Sequence, residues 1–415
     1  DGGVTIHGYA NTDASGDYGI QVPVNDPPTT KPYTVYIIVP GGYFPTSRTA
    51  LNPIWVQDGA TLTGKNFGVV AYQIITLNAS RVLSLGSADL MEKDWTGNST
   101  QHAHGDNDIV LGADAGGTDN ISVWFNQYET TPLFSPSPAD PTGYTRNAAN
   151  SVLSLAVDTL DANVAPFARP DIATGTQYTV SGNLFVWFNQ NSSGNQGFVP
   201  TAPDRAYRTT DNGDVQSVLT YDCAGGASPD LIAGTKSPGG GNGTIEIWRS
   251  DDAATPSYTR DEVYPTAGLI PGDKLGEVTA MALADLDNDG YRDLVVGIRT
   301  GAYSGQILFF KFVSKLTGAR FVHQSSHTLN SWAVTSLACL DVDGDGYMDV
   351  VAGTQTGTAS GQMVHFQNRD LGVPMNFKAV RVVNAPGIAT SLAAAGFGGL
   401  SGKDIAIVWR AFVSG

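Results

Sequence analysis

Two nine-residue segments hold the densest chemistry in the chain. One reads Asp285-Leu286-Asp287-Asn288-Asp289-Gly290-Tyr291-Arg292-Asp293, the other Asp341-Val342-Asp343-Gly344-Asp345-Gly346-Tyr347-Met348-Asp349. In each, carboxylates stand at positions 1, 3, 5 and 9, a tyrosine at position 7 offers its backbone carbonyl, and a glycine at position 6 permits a sharp turn. Like charges crowded this closely repel one another unless a cation lies among them. Ligation by oxygen alone selects Ca2+ over Zn2+ or Cu2+. The plainer reading, a solvated acidic turn without metal, is weakened by the second copy with identical spacing.

An EF-hand is the obvious rival and fails on two counts. Position 12 would be Glu, but the chain has Val296 and Ala352 there, and the flanks LADL, LVVG, ACLDV and VVAG read as strands rather than helices. A third segment, His102-Ala103-His104-Gly105-Asp106-Asn107-Asp108, offers two imidazoles and two carboxylates to a transition metal. Its competing reading is an exposed polar insertion. The remaining histidines, His7, His323, His327 and His365, are scattered and read as structural or surface residues. Catalytic constellations are missing: there is no G-x-S-x-G, no H-E-x-x-H and no glycine-rich phosphate loop before a helix. Paired carboxylates for glycoside hydrolysis stay open as a reading, although the best-placed acids are already assigned to Ca2+.

The elements that must position these loops repeat along the chain. The string Asp-apolar-apolar-apolar recurs at Asp108, Asp171, Asp230, Asp293, Asp349 and Asp404, with spacings of 63, 59, 63, 56 and 55 residues. An alternating run precedes each, centred on Leu85, Leu155, Val218, Met281, Leu337 and Leu392. A strand ending in an aromatic follows the first five, at Trp124, Trp187, Trp248, Phe310 and Phe366. These aromatics are expected to pack between units rather than form a carbohydrate platform. Each period reads as about four short strands, and several such units in tandem predict a β-propeller. Six four-stranded blades are visible, with a seventh left open because the sixth repeat stops at Gly415.

Composition agrees with an all-β chain. Gly and Pro together make up about 17 % of the 415 residues, and 41 % are hydrophobic, which excludes a disordered protein. No apolar run reaches the ~18 residues of a membrane-spanning helix. The net charge of −16 and the lack of a basic stripe argue against a nucleic-acid partner. Cys223 and Cys339 fall in non-adjacent repeats and are expected to be free thiols. The abrupt start at Asp1 reads as a mature or trimmed chain.

With the two D-x-D-x-D-G-x-x-D loops in place, residues 73–415 resemble the FG-GAP/VCBS family of calcium-binding propellers, which includes the integrin α-subunit head. The resemblance implies a blade with its loop between the first two strands. It implies one Ca2+ held by Asp285, Asp287, Asp289, Tyr291 and Asp293, and a second held by Asp341, Asp343, Asp345, Tyr347 and Asp349. Repeat three keeps only Asp222 and Asp230 of that pattern and repeat six only Asp404, so neither is expected to hold Ca2+.

Residues 1–72 differ in character. TDASGDYGIQVP, YTVYIIVPGGYFP and GATLTGKNFGVV are alternating strands separated by turn residues. They resemble the small immunoglobulin- or prealbumin-like sandwiches of the carboxypeptidase-regulatory-like and Cna B-like families, with the module incomplete. The expectation for the whole chain is a secreted or cell-surface, Ca2+-stabilised, non-enzymatic module for adhesion, recognition or assembly. Its partner would be a protein or glycan on a propeller face, with self-assembly through the N-terminal module. The alternatives are a structural subunit of an extracellular filament joined through that module, and an extracellular polysaccharide-active enzyme.

Overall fold

The computed structural model describes most of residues 81–410, continuously over 150–161, 169–189, 202–265, 276–313, 320–369 and 375–385, together with four short strands before residue 72. The chain divides into two compact units, Asp1–Thr76 and Leu77–Gly415. In the first unit, Tyr33–Tyr36 pairs antiparallel with Ala50–Ile54, and Tyr43–Pro45 with Val69–Ala71. The rest of the expected sandwich falls outside the described residues.

The second unit is a β-propeller arrangement. Blade 1 is a five-stranded sheet of Arg81–Ala88, Asp108–Asp114 and Ile121–Asn126, whose third strand pairs with both Phe134–Ser135 and Tyr144–Arg146. Blade 2 comprises Val152–Asp158, Asp171–Thr179, Gly182–Trp187 and Arg205–Tyr207. Blade 3 comprises Asp214–Tyr221, Asp230–Lys236, Thr244–Ser250 and Tyr258–Pro265. Blade 4 comprises Glu277–Ala284, Asp293–Gly301, Ser304–Phe312 and Phe321–Leu329. Blade 5 comprises Ala333–Leu340, Asp349–Gln355, Gly361–Asn368 and Phe377–Ala385. Every pairing in this unit is antiparallel, and all join consecutive strands except that of Ile121–Asn126 with Tyr144–Arg146 in blade 1.

The blade count corrects the expectation of six or seven four-stranded units. Five blades are complete, and the sixth repeat forms only the pair Ile388–Ala395 with Asp404–Arg410 among the described residues.

The core lies between blades rather than within them. Four buried apolar clusters each draw on two successive blades. Alternation makes this work, since neighbouring residues of a strand face opposite sides of the sheet. Phe310 joins the cluster shared by blades 3 and 4, while its neighbour Phe309 joins that of blades 4 and 5 and stacks on Phe377, ring centroids 4.0 Å apart. Trp187, Trp248, Phe310 and Phe366 are all buried in such clusters, as packing residues. Cys223 and Cys339 are free. No helix among the described residues is long and apolar enough to cross a membrane.

Candidate metal centre

Each acidic segment is the loop between the first and second strands of its blade, 285–293 in blade 4 and 341–349 in blade 5. Strand pairing brings the loop ends together: Ala284 lies opposite Asp293, and Leu340 opposite Asp349. Inside the loop the first aspartate organises the turn. Asp285 accepts hydrogen bonds from the backbone N–H of Asp289 (3.1 Å) and of Gly290 (2.9 Å). Asp341 accepts from Gly344 (2.7 Å) and Gly346 (3.3 Å). The turn needs left-handed backbone twice, at positions 4 and 6. Asn288 (φ 58°) and Gly290 (φ 88°) supply it in one loop, Gly344 (φ 80°) and Gly346 (φ 92°) in the other. Glycine and asparagine tolerate that region best.

This folding draws three carboxylates to one point. Asp285, Asp287 and Asp289 each offer an oxygen, all within 4.8 Å of one another, and Asp341, Asp343 and Asp345 do the same. Asp289 and Asp345 are oriented by the N–H of Tyr291 (3.0 Å) and Tyr347 (2.9 Å). The Tyr291 ring rests against Phe312, centroids 5.6 Å apart. Asp287 is the informative member. Its side chain is only 5 % exposed, one oxygen bonds Lys311, and the buried Oδ1 has no hydrogen-bond partner. An orphaned buried carboxylate oxygen is costly unless a cation completes it, so the donor set fits a hard metal ion.

The aspartates at position 9 stand apart from these trios. Asp293 is fully buried and accepts the N–H of Leu286 (3.0 Å) and of Phe312 (2.8 Å), tying the loop to the third strand. Burial raises its carboxyl to about 7 against the pull of those two N–H groups. Asp349 likewise takes Val342 (3.1 Å) and Asn368 (2.7 Å), and it also pairs with His365 (2.9 Å). The same strut recurs in the other three blades. Asp230 receives Cys223 and Ser250, Asp171 receives Leu160, Asp161 and Asn189, and Asp108 receives Leu90. The repeated aspartate is therefore first a latch between strands, whatever else its loop holds.

Three participants escaped sequence reasoning. Lys311 bonds both Asp287 and Asp289, the latter at 2.9 Å. At Asp289 partial burial favours the neutral acid, but the Lys311 ammonium and the Tyr291 N–H outweigh it and hold the carboxyl below its ordinary value. Gln367 donates to Asp343 from the matching strand of blade 5. Asn288 reaches across to the carbonyl of Gly346, 3.2 Å away, and so joins the two loops. Lys311 and Gln367 each follow the aromatic marker by one residue, a position that could have flagged them.

Repeat three fills its loop differently. Asp222 accepts the N–H of Gly225 (2.5 Å) and of Gly226 (3.1 Å), while Asp252 accepts those of Ala227 (2.8 Å) and Ser228 (3.0 Å). Its donors are met by the chain's own carboxylates. His102, His104 and Asp106 lie outside the described residues.

Comparison with known proteins follows the same segment. No curated protein matches the chain. Among solved structures, a mutant of the lectin from Aleuria aurantia in complex with alpha-methyl-L-fucoside aligns at 9 % identity and a TM-score of 0.39, over 74 % of this chain and 83 % of the lectin. Residues 285–352, which contain both acidic loops, match the family model described as the FG-GAP-like repeat.

Proposed function

We propose that this chain is a Ca2+-stabilised β-propeller that serves outside the cell as a recognition or adhesion module and not as an enzyme. The observation that carries the reading is the pair of loops in successive blades, each converging three carboxylates, with a buried oxygen of Asp287 left unpartnered. The FG-GAP-like match over the same residues supports it. Asp285, Asp287 and Asp289 would hold one ion, Asp341, Asp343 and Asp345 the other. The FG-GAP/VCBS resemblance would add the carbonyls of Tyr291 and Tyr347 and the carboxylates of Asp293 and Asp349 as further ligands. A bound Ca2+ would supply structural charge compensation, letting the loops present a fixed surface to a protein or glycan. Millimolar extracellular calcium suits sites built from exposed loops.

The test is metal analysis of the purified chain by mass spectrometry. Two Ca2+ per chain are expected, falling to one in Asp287→Ala and in Asp343→Ala. A wild-type protein that stays metal-free in calcium-containing buffer overturns the assignment.

A further inference from the structure

We propose that Lys311 is a built-in competitor for the cation of the 285–293 loop, so that the two loops load unequally and the 341–349 loop fills first. The proposal rests on the reading that both loops take Ca2+, and it concerns their difference.

The two loops are near copies, and the side chain facing the third position of each comes from the same place in the blade. Lys311 reaches Asp287 from 24 residues downstream, and Gln367 reaches Asp343 from 24 residues downstream. The preceding residues, Phe310 and Phe366, hold equivalent registers, opposite Leu294 and Val350. The geometry is shared and the charge is not. An ammonium is bonded to two of the three converging carboxylates in blade 4, whereas a neutral amide bonds one of them in blade 5.

A divalent ion entering the blade-4 loop meets this charge by one of two routes. If Lys311 stays, like charges face each other across a few ångströms. If it leaves, two charge-assisted hydrogen bonds are lost. The second route is open because the side chain is 30 % exposed and its flexible stem can carry the ammonium into solvent. Both routes weaken loading relative to blade 5. Lys311 would also compensate part of the acidic charge when calcium is scarce, so loop 285–293 would keep its shape without metal better than loop 341–349.

The test is calorimetric titration of the full chain with CaCl2 after removal of metal by chelation. The wild type should show two events whose affinities differ by tenfold or more, the tighter one lost in Asp343→Asn and the weaker in Asp287→Asn. Lys311→Gln should tighten the weaker event about tenfold and nearly close the gap. Gln367→Lys should weaken the tighter event by a similar factor, which gives a second reading if Lys311→Gln perturbs folding. Two equal events, a tighter event that disappears with Asp287→Asn, or affinities unmoved by both Lys311→Gln and Gln367→Lys would overturn the proposal while leaving two calcium sites in place. No heat and no bound calcium in the wild type would overturn the calcium reading itself, and this proposal with it.

Discussion

At the scale of single residues, the recurring aspartate at the head of each second strand does more for the fold than its loop spacing announces. Asp171 shows it away from the two acidic loops. It is fully buried and accepts three backbone N–H groups, from Leu160 (2.8 Å), Asp161 (3.0 Å) and Asn189 (2.6 Å). Burial lifts its carboxyl from 3.8 to about 7, outweighing the Asn189 N–H, with the Asp161 carboxylate adding to the rise. The folded state therefore holds this proton more tightly than the unfolded chain between those two values. The stability this favours is complete below pH ~4 and is lost as the pH climbs to 7, by about 1.4 kcal/mol per unit in the limit. The expected outcome is that the difference in unfolding free energy between wild type and Asp171→Asn shrinks from pH 4 to pH 7 and levels off above. Chemical denaturation of both proteins across that range measures it, and a difference that is flat or grows with pH contradicts the assignment.

Among the elements, close approach of neighbouring blades is set by a glycine at the fifth residue of the second strand in blades 1 to 4. A Cβ added at Gly175, Gly234 or Gly297 would sit 2.4–2.5 Å from Cγ1 of Val215, Val278 or Val334 in the next blade. The valine of one inner strand thus fills the space where the previous blade lacks a side chain. Gly297→Ala forces Val334 or the inter-blade spacing to shift, and overpacking of this kind destabilises by about 1–3 kcal/mol. Val334→Ala in the same chain should recover part of that loss, because the clashing methyl is gone. Equilibrium unfolding of both variants checks the pair. Losses that simply add would mean that the two positions do not meet.

For the whole molecule, the acidic loops join blades 4 and 5 through Asn288 and the Gly346 carbonyl, so an ion bound in one loop would act on more than its own turn. Ca2+ that binds only the folded state stabilises it by mass action, about 2.7 kcal/mol per site at a free concentration ~100 times Kd. Chelation should therefore lower the Tm of the wild type, and the Asp287→Ala, Asp343→Ala double variant should melt at the same temperature with and without chelator. Scanning calorimetry in both buffers decides it; a wild-type Tm indifferent to chelation removes the stabilising role.

Much of this architecture was legible in the residues because it is local. Alternation along VTSLACLDVD and the apolar run DVVAG define strands within a few positions, and the left-handed turn at Gly290 and Gly346 follows from glycine's freedom. The three-carboxylate cluster is legible for the same reason, since its members lie within five residues. The structure alone shows that Asp293 latches onto Phe312, that Lys311 and Gln367 divide two matching loops by charge, and that Gly297 faces Val334. Those facts join residues about 20 to 40 positions apart through strand register and inter-blade packing. No local periodicity encodes such contacts, because hydrophobic burial dictates that a face is covered without naming the residue that covers it.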